Sequence, residues 1–273
     1  MAHRKKRTFR ISRILFLFVI AGGIAAAVFY GFRMIRTRNL RKEAVQASPS
    51  IEPTPSPSAS IAPSYDPALF TDPDSLLLIA NKSHRLPEGY EPSDLIDVNT
   101  IGGHGTIAPM MRKEAAEAEA EMTAAAFEDG IYLQFSSAYR SEEYQSELYW
   151  GYVASDGQEA ADTYSSRPGY SDHQTGLAAD FVENGSSDFT ADFEHTESGK
   201  WLYEHAWEYG FVIRYPKGKD EITGYTFEPW HYRYIGKDWA AELHAVSPDE
   251  TIEEYFGITG GIEYTDPIST PAS

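Results

Sequence analysis

Ser166-Arg-Pro-Gly-Tyr-Ser-Asp-His173-Gln-Thr-Gly-Leu-Ala-Ala-Asp180-Phe-Val182 is the stretch on which the fold turns. Its second half, Leu177–Val182, is apolar except for Asp180 and reads as a short buried strand. Upstream, Met111, Ala115, Ala118, Met122, Ala125 and Ala126 recur at helical spacing between Glu and Lys, which predicts an amphipathic helix over 110–129 closed by Asp129-Gly130. Ile131–Ser137 alternates apolar and polar residues and reads as a strand. Ser141 is the expected N-cap of a short helix that begins with Glu142, Glu143 and Tyr144. Downstream, Trp201, Leu202, His205, Ala206 and Tyr209 form one helical face ended by Gly210. Phe211–Arg214 and Trp230–Ile235 read as strands, and Lys237–Val246 as the last long helix. Strands and helices mix without regular alternation and without repeats, so the class is α+β rather than doubly wound.

The ends of the chain have a different composition. Ile14–Phe32 (ILFLFVIAGGIAAAVFYGF) has no charged residue and would span about 29 Å as a helix, close to the hydrocarbon thickness of a bilayer. Arg33, Arg36, Arg38, Arg41 and Lys42 follow it instead of a small-residue cleavage site, which favours a retained transmembrane anchor over a signal peptide. Six basic residues precede the span and five follow, so charge alone leaves its orientation open. Residues 48–67 are rich in Pro, Ser and Ala and read as an extended spacer. The expected organisation is a basic, anchored N-terminus over 1–42, a disordered linker over 43–70, one domain over 71–260 and a loose tail over 261–273.

Residues 1–42 hold 11 of the 23 basic side chains and no acidic one. That leaves 12 against all 41 acidic residues in 43–273, a net charge of −29. Such a body is a poor nucleic-acid binder, because phosphate contacts need cations. Cysteine is absent, which excludes disulfides, a thiolate nucleophile and Cys-ligated metal clusters. A metal site would have to use His and carboxylates.

Of the eight histidines, His3 lies in the basic tail, and His84 and His195 lie in polar loops. His205 and His244 lie on helices, and His104 between glycines reads as a turn residue. His173 and His231 stand apart, the second within Phe227-Glu228-Pro-Trp-His231-Tyr-Arg-Tyr. Two imidazoles with Asp180 are a suitable set for zinc with one position left to water. A carboxylate on a buried strand needs a partner, and a metal is one. The other reading makes Asp180 a turn cap and leaves the histidines unrelated.

Three blocks carry a resemblance that bears on this choice: Ser137-Ala-Tyr-Arg140-Ser with Gln145 following, Ser171-Asp-His173-Gln-Thr-Gly176-Leu-Ala-Ala-Asp180, and Glu228-Pro-Trp-His231-Tyr-Arg. Together they resemble the zinc D-alanyl-D-alanine carboxypeptidases of the VanY type, within the lysostaphin/D-Ala-D-Ala/hedgehog metallopeptidase group, over about residues 75–247. The resemblance implies a single metallopeptidase domain with a small, mainly antiparallel central sheet flanked by helices. It also implies Zn2+ held by His173, Asp180 and His231, Glu228 as the catalytic base, and Arg140 stabilising the anionic intermediate. Ser171, Gln145 and Trp230 fall where related enzymes contact substrate.

The expected activity is removal of the terminal D-Ala from peptidoglycan stem peptides by a membrane-anchored enzyme, with a monomer assumed. An endopeptidase or D,D-dipeptidase with the same zinc site is the alternative. A non-catalytic wall-peptide module is disfavoured by the intact Glu228. A wall substrate puts the domain outside the cytoplasmic membrane and the N-terminus inside.

Overall fold

The computed structural model of the chain describes residues 65–101 and 109–266. The predicted anchor at 14–32, residues 43–64 of the linker and His104 lie outside them. Among the described residues, no helix is long and apolar enough to cross a membrane.

A two-stranded antiparallel ribbon comes first, β1 (Leu95–Asp97) against β2 (Met110–Arg112). Helix α1 (Lys113–Glu128) follows, so its start differs from the expected residue 110. Long-range bonds account for the difference. The Arg112 amide donates to Gly176 O at 2.9 Å, and its guanidinium is bonded to Asp94 and to the carbonyls of Asp74 and Ser75. These contacts hold Arg112 extended and override the helical pattern. From Lys113 onward, alanine and glutamate favour the helix intrinsically, and Ala115, Ala118, Met122 and Ala126 turn to the core.

Strand β3 (Gln134–Ser137) leads into α2 (Glu142–Asp156). Ser141 caps α2 as expected, its hydroxyl accepting from the Tyr144 amide at 3.2 Å. The helix is fifteen residues long rather than short. Then come β4 (Ala178–Val182), α3 (Glu197–His205), β5 (Phe211–Ile213), β6 (His231–Tyr234), α4 (Lys237–Val246) and α5 (Ile252–Phe256). The α+β expectation with a small antiparallel sheet holds: four strands lie in the order β3-β4-β6-β5, every neighbouring pair antiparallel.

The two faces of this sheet do different work. Phe135, Ala179, Phe181, Tyr232 and Tyr234 are buried with Met122 of α1 and with Trp201 and Leu202 of α3 in one apolar cluster. Burying Met122 or Phe181 fully contributes about 1.5–3 kcal/mol each. Alternation then sends Asp180, His231 and Arg233 to the opposite face. A bulge between Phe135 and Ser137 brings Ser137 opposite Asp180, onto that polar face.

The domain extends past both expected edges. Tyr65, Leu69 and Phe70, placed in the linker by composition, pack with Trp239 and Phe256 in a second apolar cluster. At the other end, residues 260–266, expected to be loose, are bonded to the domain. Gly261 N donates to Ile222 O at 2.7 Å, and Lys82 Nζ to Ile262 O at 3.2 Å. Apolar contacts and backbone bonds made at long range give these segments a structure that their composition does not suggest.

Glu119 on α1 is fully buried, with Oε1 accepting from the Thr123 hydroxyl at 2.7 Å and Oε2 without a partner. Burial pushes its carboxyl from 4.5 up to about 7, against the lowering effect of the Thr123 bond. A carboxyl with a raised folded pKa stabilises most when protonated, and that contribution is lost as pH rises from its unfolded value through its folded one. Relative to Glu119→Gln, which cannot ionise, the wild type should therefore lose about 2–3 kcal/mol of stability between pH 5 and pH 8. Urea denaturation of both proteins at the two pH values measures this. A pH-independent difference would show that the carboxyl is solvated.

Candidate metal centre

Strand register makes the first half of the site. Asp180 on β4 lies directly opposite His231 on β6. The other histidine comes from a single 3-10 turn, Asp172–Thr175, that Gly176 ends in the left-handed conformation (φ 70°), so the chain can reverse straight into β4. His173 Nε2 lies 3.2 Å from Asp180 Oδ2, and His231 Nδ1 lies 3.5 Å from Asp180 Oδ1. All three side chains are buried, and their ligand atoms lie within 4.8 Å of one another.

Hydrogen bonds decide which nitrogen each ring offers. His173 Nδ1 is 2.7 Å from Ala138 O and must donate to it, which leaves the Nε2 lone pair facing the centre. His231 is turned the other way: Nε2 faces Asp172 Oδ2 at 3.4 Å, and Nδ1 points toward Asp180 and Glu228. Asp172 is itself gripped by Arg233 Nη1, with Arg214 Nε 3.8 Å away. Burial raises the Asp172 pKa, but Arg233, the His231 bond and Arg214 outweigh it and hold the carboxyl well below the usual range. It is therefore a fixed anion behind the ring. Burial lowers the His231 pKa, yet the bonds to Asp172 and Glu228 prevail and take it up to about 9. A metal held at Nδ1 would take the place of that proton.

The donor set fits zinc. Asp180 Oδ1 is buried without a hydrogen bond. The Asp180 carboxyl is raised by burial but held well below its usual range by His173, His231 and Arg140, so the group is anionic. An anionic oxygen without a hydrogen bond, beside two imidazole nitrogens, is what a divalent cation with N/O preference completes.

Arg140 and Glu228 flank this trio. Arg140 Nη2 lies 3.1 Å from both Asp180 Oδ2 and His173 Nε2, and 3.2 Å from Ser137 Oγ. Its Nη1 donates to Gln145 Oε1 at 3.3 Å. Glu228 is buried, its Oε2 3.2 Å from His231 Nδ1. Burial raises its pKa, with His231 opposing. The site opens into a cleft of about 510 Å³, with Tyr144, Tyr152 and Tyr164 on its lining together with Phe189 and Trp230.

All eight residues singled out from sequence line this cleft. Gln145, expected to contact substrate, has its amide nitrogen committed to Ser166 O at 2.7 Å. Sequence reasoning missed Asp172, Arg214, Arg233 and the cleft tyrosines Tyr215 and Tyr225. One signal was available: His231 and Arg233, two apart on a strand, must share a face. His84, His195, His205 and His244 do not line the cleft, and His244 stacks on Trp207 at 4.6 Å.

The protein should carry about one zinc per chain, and a His173→Ala/His231→Ala double variant should carry none. Asp172→Asn should weaken zinc binding about ten- to hundredfold, because the ring loses its anionic anchor. Metal analysis with competing chelators checks both. Unchanged affinity in Asp172→Asn would mean that the ring is held by packing alone.

The geometry agrees with what the chain resembles. The profile of the VanY family, D-alanyl-D-alanine carboxypeptidases, matches residues 108–237. YodJ of Bacillus subtilis (strain 168), assigned to the carboxypeptidases, is 41% identical over 189 residues, 68% of each chain. The structure of the LD-carboxypeptidase LdcB matches with a TM-score of 0.63 at 38% identity, covering 69% of this chain and 88% of that one. A vancomycin-resistance D,D-pentapeptidase VanY in complex with Zn(II) matches with a TM-score of 0.54 at 30% identity, covering 65% and 97%. With a buried His/Asp/His site behind a cleft, this chain belongs to the VanY family of zinc-dependent D-alanyl-D-alanine carboxypeptidases.

Proposed function

We propose that the enzyme removes the terminal D-Ala of peptidoglycan stem peptides, with Glu228 as the proton carrier and Arg140 as the fixed cation at the reacting carbonyl. The observation that carries this reading is Glu228. It is a buried carboxylate with a raised pKa, at the edge of the His/Asp/His trio and facing the cleft.

When bound, zinc supplies Lewis-acid polarisation of the scissile carbonyl and makes water more acidic. Glu228 takes the proton of the attacking water and returns it to the departing amine; a pKa raised by burial suits both halves of that task. Arg140 cannot lose its proton and meets the oxygen on which negative charge develops. Ser171 and Trp230, on the cleft lining, contact the C-terminal part of the substrate, and Gln145, whose amide is bonded to Ser166 and Arg140, supports them from behind. The terminal carboxylate is held by several hydrogen bonds.

A second reading has an observation of its own. The LD-carboxypeptidase LdcB is more similar to this chain, in identity and in TM-score, than the D,D-pentapeptidase VanY. The same centre would then cut the L,D bond of a tetrapeptide. Incubating the full-length protein with stem pentapeptide and tetrapeptide, and identifying the products by mass, separates the two. Loss of D-Ala from pentapeptide alone supports the first reading, and loss from tetrapeptide alone supports the second.

Glu228→Gln should keep zinc and fold while slowing turnover by about two to four orders of magnitude. Arg140→Lys should also be costly, since an ammonium does not reproduce the guanidinium fork. Amidating the substrate's terminal carboxylate should greatly slow cleavage. If the amidated peptide is cut equally fast, the enzyme is an endopeptidase.

The proposal includes the location. The uncharged span at 14–32, its arginine flanks and the Pro/Ser-rich spacer support a domain tethered outside the cytoplasmic membrane, where wall peptides lie. Protease added to wall-free cells should release a fragment of nearly domain size, and protection of that fragment would reverse the orientation.

A further inference from the structure

Residues 260–266 form a strap built into the domain beyond the family match, which ends at 237. Lys82 holds it twice: Nζ donates to Ile262 O at 3.2 Å, and Lys82 O accepts from Thr265 N at 3.2 Å. Ser83 Oγ donates to Gly260 O at 3.0 Å. The seat is tight, since a Cβ on Gly260 would lie 2.1 Å from Ile222 O.

The strap delivers Tyr264 to one peptide unit. Tyr264 Oη accepts from Arg167 N at 3.0 Å, and the ring lies under the Arg167 guanidinium, 4.0 Å from its centroid. Tyr170, on the same loop, packs edge-on against Tyr264 at 5.0 Å and donates to Asp266 Oδ2 at 2.6 Å. The Arg167 amide belongs to the peptide unit whose oxygen is Ser166 O. That oxygen accepts from Gln145 Nε2 at 2.7 Å, and Gln145 Oε1 accepts from Arg140 Nη1 at 3.3 Å. A planar peptide cannot move one of these atoms without the other. The chain of contacts therefore runs from Tyr264 through peptide 166–167 and Gln145 to the guanidinium of Arg140.

We propose that Tyr264 is a positioning residue for the reaction: the C-terminal strap fixes peptide 166–167, which holds Gln145 and through it aims Arg140. This rests on the role given to Arg140 under the proposed function. It adds a requirement that lies outside the cleft and outside the matched family region. Orientation of a charged group is where small displacements matter most, because stabilisation of a developing charge depends on donors preset at the right distance.

The test is a double-mutant cycle in the full-length protein, with Tyr264→Phe, Gln145→Ala and the pair assayed on the peptide that the wild type cleaves. Tyr264→Phe keeps the ring and its packing and removes only the hydroxyl. That hydroxyl is bonded to Arg167 N and also, at 3.2 Å, to the Tyr225 hydroxyl, and its loss should lower kcat/KM about three- to tenfold. Zinc content and Tm should stay close to wild type. In the Gln145→Ala background the same change should cost less than about twofold, because the route is already cut. Gly260→Ala, which cannot seat the strap as it stands, should reproduce the loss. If Gln145→Ala is slow while Tyr264→Phe matches wild type, or if the two losses multiply, the strap does not position the site. If Gln145→Ala itself matches wild type, the proposal also falls, and with it the place given to Gln145 in the reaction.

Discussion

The carboxylate of Asp172 is the constraint on which the centre depends. It lies fully buried between the guanidinium groups of Arg233 and Arg214, and it faces His231. Removing one partner from such a buried set leaves charges without compensation, at a cost of about 3–5 kcal/mol. Arg214 is further paired through two bonds to Glu253 on α5, at 2.9 and 2.7 Å, and Glu253 accepts from Asn81. The orientation of one imidazole is thus tied to the last helix and to the first part of the domain. The ring can turn only if this network is broken.

The sheet explains why so much charge can be buried at all. Its apolar face is closed by α1 and α3, which leaves the other face free to carry Asp180, His231 and Arg233 in alternation. Polar side chains on that face must be satisfied by the loops that cover it. The turn at 172–175 and the arginine network meet this requirement on the metal side, and Arg140 with Gln145 and Ser166 meets it on the cleft side. The N- and C-terminal segments that looked loose by composition complete the cover by packing on α4 and α5 and by bonding to Lys82.

The electrostatics separate two carboxylates that sit within a few ångströms of the same histidine. Arg233 and Arg214 keep Asp172 anionic, whereas burial raises Glu228, with only His231 and Arg140 opposing. One is suited to hold a ring and the other to exchange a proton. Environment alone makes that distinction, as the two side chains differ by one methylene.

The sequence by itself determined the α+β class and the donor types, because those are local matters, while the eight cleft residues as a set came from the resemblance of its three blocks to the VanY-type carboxypeptidases. Helix and strand periods are written in neighbouring residues, and a chain without cysteine leaves His and carboxylates as the donors for a metal such as zinc. Asp180 showed itself as a charge in an apolar run, whereas Glu228 was marked only by the family resemblance. Only the tertiary structure decided which nitrogen each histidine presents, that Asp172 anchors His231, and that Gln145 is committed to Ser166. It also decided that Tyr264 reaches the loop behind the cleft. The partners in these contacts stand 59 residues apart for Asp172 and His231, and 97 apart for Arg167 and Tyr264. Nothing in the local pattern sets such pairs. They form because buried polar groups must find partners wherever packing brings them together.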